Sequence, residues 1–155
     1  VYLISSKSKD SRTKVGSIIV RNNRHIISSG YNGIPVGVND DVETRNIKPD
    51  KKFYYSHSEQ NSIFQCAKYG ISTAGTKIYL SCSPCHECAR AIIQAGITDL
   101  VFHGPYEDFF NEHNRSWEDS LAAGRLMMWE AGVRCFRFED KLGIKTLIDG
   151  QIIEV

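Results

Sequence analysis

Lys77-Ile78-Tyr79-Leu80-Ser81-Cys82-Ser83-Pro84-Cys85-His86-Glu87-Cys88-Ala89-Arg90-Ala91-Ile92-Ile93-Gln94-Ala95-Gly96 is the stretch whose reading decides the fold. Its opening, Lys77 to Cys82, reads as a strand. Pro84 suits the first turn of a helix, where its missing N–H costs nothing. That helix is predicted to run to Ala95, where Gly96 stops it. Leu100 to His103 follows as another short apolar strand. Strand, helix and strand in this order imply a mainly parallel sheet covered on both faces.

Upstream, the apolar runs Val15 to Val20 and Ile26 to Tyr31 flank Asn22-Asn23, which suits a tight hairpin and makes the sheet mixed. Asn32 to Tyr55, with Gly33, Pro35, Gly37 and Pro49, reads as one long loop, a common home for function. A helix is predicted from about His57 to Tyr69, with Ile63, Phe64 and Ala67 on one side and Gly70 at its end. Downstream, Trp117 to Ala131 is a third helix, with Leu121, Leu126, Met127 and Trp129 as its apolar members. Val133 to Phe138 is the last core strand, and Asp149-Gly150 turns a final hairpin within Ile144 to Val155. The expected architecture is α/β: a three-layer α/β/α sandwich around a mixed five-stranded sheet, one domain over residues 1–155.

At 41% hydrophobic and 24% charged, the composition is that of a soluble globular chain able to build a core. Nineteen basic and 18 acidic residues leave a formal charge of +1, which gives no general pull toward polymeric nucleic acid or a membrane. No apolar run reaches the length of a membrane span, and no signal peptide is visible. The five cysteines, an odd number with one C-x-x-C pair, fit a metal site in a reducing compartment better than a disulfide framework. A cytoplasmic protein is expected.

Cys85 and Cys88, three apart on a helical first turn, can turn both sulfurs to one ion. The partial positive charge of a helix N-terminus favours the thiolates that bind metal. His57 supplies an imidazole, and Glu59 stands beside it. Residues two apart point to different sides of a regular helix, so His57 is predicted at the helix boundary, where the backbone is not yet helical. The 24 residues between Glu59 and Pro84 suffice for one helix, one turn and one strand, which brings the two helix starts side by side. Three protein ligands leave a zinc ion one position for water, the mark of a catalytic site rather than a structural one. Glu59 taken alone fits a capping box, Ser56-His57-Ser58-Glu59. Joined to P-C-x-x-C downstream, it reads instead as a general acid and base next to a metal that activates water. Cys82, Cys66 and Cys135 read as buried small hydrophobes, His86 and Glu87 as solvated or supporting residues, and His25, His103 and His113 as structural or surface histidines.

The pattern H-x-E…P-C-x-x-C is the signature of zinc nucleobase deaminases. Ser8-Lys9-Asp10-Ser11-Arg12-Thr13-Lys14-Val15-Gly16, Gly30-Tyr31-Asn32-Gly33-Ile34-Pro35, Asp40-Asp41, His57-Ser58-Glu59-Gln60-Asn61-Ser62-Ile63 and Ala91-Ile92-Ile93-Gln94-Ala95-Gly96-Ile97 resemble the deoxycytidylate deaminase family over nearly the whole chain. The resemblance implies a cytidine deaminase-like fold. It implies one catalytic Zn2+ on His57, Cys85 and Cys88, with Glu59 moving protons. It implies dCMP as substrate, a homohexamer, and regulation by dCTP (activating, with Mg2+) and dTTP (inhibiting). Gly30, Tyr31, Asn32 and Gly33 would lie at the effector site, and Asn32 is also a candidate for the substrate sugar. For the monophosphate, Ser11, Arg12 and Lys14 offer donors, and Tyr106 is a candidate to line the site. Arg125 is a further candidate for phosphate or an interface. Three departures stand out. Ser58 replaces the alanine of H-A-E, Glu107 stands where some relatives carry a basic residue, and Phe109 to Arg115 looks like an insert. No extra zinc site is expected in residues 34–56, which hold neither Cys nor His.

Other readings remain open at this stage. A zinc deaminase acting on dCTP or on a base in nucleic acid would need different contacts beyond the metal. A non-catalytic zinc- or effector-binding module would leave Glu59 only its capping role. A thiol redox pair would carry no zinc.

Overall fold

The computed structural model describes residues 1–155. Strands β1 (Gly16–Arg21) and β2 (His25–Tyr31) form the opening hairpin. Asn22 and Asn23 both turn at φ 54°, the left-handed region that short polar side chains tolerate. Strands β3 (Lys77–Leu80), β4 (Asp99–His103) and β5 (Arg134–Phe138) complete a five-stranded sheet of order β2-β1-β3-β4-β5. The β1 pairings are antiparallel, and β3-β4 and β4-β5 are parallel. The expected mixed α/β sheet is therefore present, with β5 as an edge. All five residues of β5 are exposed, Cys135 included, so neither the strand nor this cysteine belongs to the core as the sequence suggested. With β4 as its only partner, the edge keeps its outer side toward solvent.

The helices are α1 (Tyr2–Ser5), α2 (Lys51–Tyr54), α3 (Ser58–Lys68), α4 (His86–Gln94), α5 (Gly104–His113) and α6 (Glu118–Glu130). Adjacent residues of a strand face opposite ways. Ser17 Oγ donates to Ser58 O of α3, whereas Gly16 presses on Val1 O and Ser5 of α1. Thus α3 and α1 cover opposite faces. Between the sheet and α3, α4 and α6 lies the main core, built on Ile19, Ile78, Leu100, Ile92 and Met128. Burying such side chains contributes roughly 1.5–3 kcal/mol each. On the other side, Tyr2, Cys82, Tyr106, Ile148 and Val155 form a smaller core. Ile148 comes from the hairpin of β6 (Lys145–Ile148) and β7 (Gln151–Glu154), turned by Asp149 and Gly150 as expected, and Val155 directly follows β7.

Two helix faces differ from the sequence reading. On α3 the buried residues are Ser58, Glu59, Ser62 and Cys66, while Phe64 is 58% exposed and Ala67 is also outside. The reason is distance. A Cβ at Gly30 would collide with Ser58 O and lie 2.6 Å from Ser62 N, so α3 rides on β2 too closely for a large residue between them. On α6, Leu121, Gly124 and Met128 are buried, and Leu126 and Trp129 are exposed. Helix α5 was not foreseen; it takes up most of the supposed insert, and Pro105 in its first turn was the available signal.

Candidate metal centre and catalytic cleft

The backbone at the start of α3 makes the His57–Glu59 pair work. His57 is extended at φ −76° and ψ 157°, and Ser58 is the first helical residue. The boundary lies where the sequence required it, and both side chains reach the same cleft. The His57 backbone N–H donates to Gln60 Oε1 at 3.4 Å. Gln60 therefore reaches back to cap the helix, and Glu59 is released from the capping role that Ser56-x-x-Glu59 offered. Glu59 Oε2 instead accepts a hydrogen bond from Ser58 Oγ at 2.8 Å.

The second helix start comes from α4. Cys85 is its N-cap at φ −66° and ψ 169°, and Cys88 lies in the first turn. Pro84 precedes the cap instead of opening the helix, which starts two residues later, at His86. Helix α6 holds this loop from behind. Gly124 permits the approach, since a Cβ there would lie 2.8 Å from Pro84 O. Ser120 Oγ sits 2.7 Å from His86 Nδ1 and fixes the first of the two residues between the cysteines.

The two starts meet at His57. Its Nδ1 lies 3.5 Å from Cys85 Sγ and 3.4 Å from Cys88 Sγ. Tetrahedral zinc with bonds of about 2.3 Å to sulfur and 2.0–2.1 Å to nitrogen would put such atoms about 3.6 Å apart. The donor set and its spacing therefore fit zinc. These residues form the single His, Cys, Asp and Glu cluster with metal-binding geometry in the chain. Without the ion, the three groups share protons. A hydrogen bond from Cys88 pulls the Cys85 thiol down to about 4, against the effect of burial and with help from His57. The same bond and burial push the Cys88 thiol up. The hydrogen bond to Cys85 raises His57 to about 9.

A cleft of about 420 Å3 opens over this cluster. Phe110 and Trp117 stand on one side, and the Trp117 ring centroid is 5.9 Å from that of His57. Four cations line the cleft: Arg12, Lys48, Lys51 and Lys52. Arg12 is paired with Asp149, and Lys51 with Asp10, whereas Lys48 and Lys52 have no carboxylate partner. Asp10 is a buried hub that accepts from Arg12 N at 2.8 Å, Thr13 N at 3.2 Å and Asn32 Nδ2 at 2.9 Å.

The residues expected for the substrate fall in different places. Asn32 lines the cleft at 8% exposure, and its amide is largely committed. Both Nδ2 hydrogens go to Asp10 and Thr13 O, and Oδ1 accepts from Val15 N at 2.9 Å. Arg12 lines the cleft, whereas Ser11 and Lys14 do not; Lys14 Nζ reaches Ser6 O at 3.4 Å. Tyr106 is 0% exposed, behind the wall, and its hydroxyl donates to Lys14 O. Gly30 packs on α3, Tyr31 is exposed, and Gly33 bridges to Ser56. Glu107 is buried away from the cleft against Ser83, with Arg125 Nη1 at 3.7 Å and Arg137 Nη1 at 3.5 Å. Sequence reasoning missed Lys48, Lys51, Lys52, Phe110 and Trp117. The basic run Lys48-Pro49-Asp50-Lys51-Lys52 in the long loop was the signal for the first three.

Residues 1–104 match the family described as the cytidine and deoxycytidylate deaminase zinc-binding region. Deoxycytidylate deaminase of Homo sapiens is 36% identical over 153 residues, 96% of this chain and 80% of that protein. The Mus musculus enzyme is 35% identical over the same shares. Among solved structures, dCMP deaminase from the cyanophage S-TIM5 in apo form matches with a TM-score of 0.67 at 28% identity, covering 88% of this chain and 89% of that one. The same enzyme in complex with dCMP and dUMP matches with a TM-score of 0.63 at 27% identity, covering 86% and 85%. No helix is long and apolar enough to cross a membrane.

Proposed function

The chain belongs to the cytidine and deoxycytidylate deaminase zinc-binding family, and from that premise we propose that it hydrolyses dCMP to dUMP and ammonia. The observation that carries this reading is the open ligand triad His57, Cys85 and Cys88, with Glu59 beside it at the base of one cleft. Zinc, when bound, supplies the Lewis acidity that makes a nucleophile of water at neutral pH. Glu59 would take one proton from water and hand it to the pyrimidine ring nitrogen, then carry the second, from the hydroxyl now on the ring carbon, to the departing amine. One C–N bond breaks, one C–O bond forms, and the proton balance closes with ammonia leaving.

The remaining contacts follow from what each side chain has left to offer. Phe110 and Trp117 flank the base with their rings. Asn32 has spent both amide hydrogens, so it can meet a sugar hydroxyl only as an acceptor, through the second lone pair of Oδ1. For the 5′-phosphate, Lys48 and Lys52 are the uncommitted cations, and Arg12 and Lys51 are pre-positioned by Asp149 and Asp10. Ser11 and Lys14 would need to turn inward to contribute. A cytoplasmic homohexamer, with dCTP (carrying Mg2+) and dTTP acting near Gly30 to Gly33, extends the same proposal to regulation.

The test is ammonia release from dCMP, CMP, dCTP and deoxycytidine, each with and without dCTP or dTTP as effector. Turnover of dCMP well above deoxycytidine is expected, with the preference reduced in a Lys48→Ala/Lys52→Ala variant. No release from any free nucleotide would sink the proposal.

A further inference from the structure

Between the metal ligand His57 and the proton carrier Glu59 stands Ser58, where the H-A-E pattern has alanine. Its side chain is 0% exposed. The Oγ hydroxyl makes one hydrogen bond, to Glu59 Oε2 at 2.8 Å. A buried hydroxyl without a partner is costly, so Glu59 is what makes this serine acceptable here. The start of α3 does not need the hydroxyl. Gln60 caps the His57 N–H, and the contact with β1 runs through Ser58 O, which accepts from Ser17 Oγ at 2.7 Å.

Resting on the reading of Glu59 as the proton carrier, we propose that Ser58 is a positioning residue for the proton transfer. It pins Oε2 and leaves Oε1 as the oxygen that moves the proton. The terminal torsion of a glutamate is broad and nearly two-fold, so a carboxylate held only by its own chain samples many orientations. Fixing one oxygen removes that freedom before the substrate arrives, and the reaction depends on such placement. The serine hydroxyl supplies the donor that this needs, whereas alanine supplies none.

Ser58→Ala removes one buried oxygen and leaves the backbone contacts in place. The expected result is a three- to tenfold fall in kcat on dCMP, with KM, zinc content and melting temperature unchanged. Ser58→Thr, which keeps the hydroxyl, is expected to hold kcat near the original value. Unchanged kcat in Ser58→Ala would overturn the inference, as would a loss that merely tracks zinc content or melting temperature. A folded, zinc-loaded Ser58→Thr variant as slow as Ser58→Ala would overturn it too. If the unmodified chain releases no ammonia from dCMP, the substrate reading fails instead, and the two failures are distinguished by that control alone.

Discussion

One added methyl group at Gly30 should cost both stability and turnover. Its Cβ would lie 2.6 Å from Ser62 N and 3.1 Å from Ser17 Oγ, and would overlap Ser58 O. Ordinary contact begins near 3.4 Å, so the first turns of α3 must retreat by at least 3.4 − 2.6 = 0.8 Å. The obstructing atoms are backbone on the α3 side and cannot rotate away. Overpacking of this kind costs about 1–3 kcal/mol, which is roughly 2–10 °C of Tm in a chain this long. His57 and Glu59 sit on the turn that moves, and an error near 1 Å at a reacting group can cost about 10²-fold. Gly30→Ala is therefore expected to melt lower and to lose roughly 10- to 100-fold in kcat/KM on dCMP. Thermal melting, zinc content and ammonia release on one preparation measure all three consequences. A Gly30→Ala protein with normal melting and basal turnover, altered only in its response to dCTP or dTTP, would refute the packing argument and favour an effector role for this loop.

Glu59→Gln keeps the shape of the side chain but cannot shuttle a proton; kcat should fall by about 10²–10⁴ while metal analysis still finds one zinc per chain. Loading zinc into metal-free protein at pH 7 should release about two protons per site, read with a pH indicator. His57, raised to about 9, and Cys88, held protonated beside Cys85, must each give one up, whereas Cys85, lowered to about 4, is already a thiolate; release of three protons or none would contradict this sharing. Asp99 is held below its ordinary value: burial opposes ionisation, but hydrogen bonds from Arg134 and Thr98 outweigh it. Its contribution is thus complete above the unfolded pKa of about 4 and is lost as pH falls through the lower folded value. Asp99→Asn should lower Tm at neutral pH by an amount that shrinks toward zero in acid, and a difference that persists at low pH would refute the ion-pair account.

Sequence carried the metal centre because its signal is local. Cys85 and Cys88 are spaced by one helical turn, and the need for His57 and Glu59 to look the same way fixed a helix boundary between them. The hairpins at Asn22-Asn23 and Asp149-Gly150 were legible for the same reason, since a few residues decide a turn. Helix faces were less so. Apolar side chains on α3 and α6 suggested Phe64, Ala67, Leu126 and Trp129 as members of those helices' apolar faces, yet all four are exposed. Burial there is set by how near the next element lies. Gly30 and Gly124 record that nearness, and a glycine in a sequence does not say which backbone it faces.

The cationic lining of the cleft shows the same limit in electrostatic form. Ser11, Arg12 and Lys14 looked equivalent as donors, being neighbours near a strand. The fold separates them: Arg12 faces the cleft, Lys14 reaches Ser6 O outside it, and Ser11 lines no part of it. Which cation is free to meet an anion depends on which acids lie within reach, and those are distant in sequence. Asp149 answers Arg12 across 137 positions, and Asp10 answers Lys51. Glu107 makes the point in reverse. Standing where some relatives carry a basic residue, it is buried against Ser83 with Arg125 and Arg137 near it, so its charge is balanced away from the cleft. A carboxylate beside the phosphate would repel it; one held behind the wall by two guanidinium groups bears instead on the loop that carries Cys85.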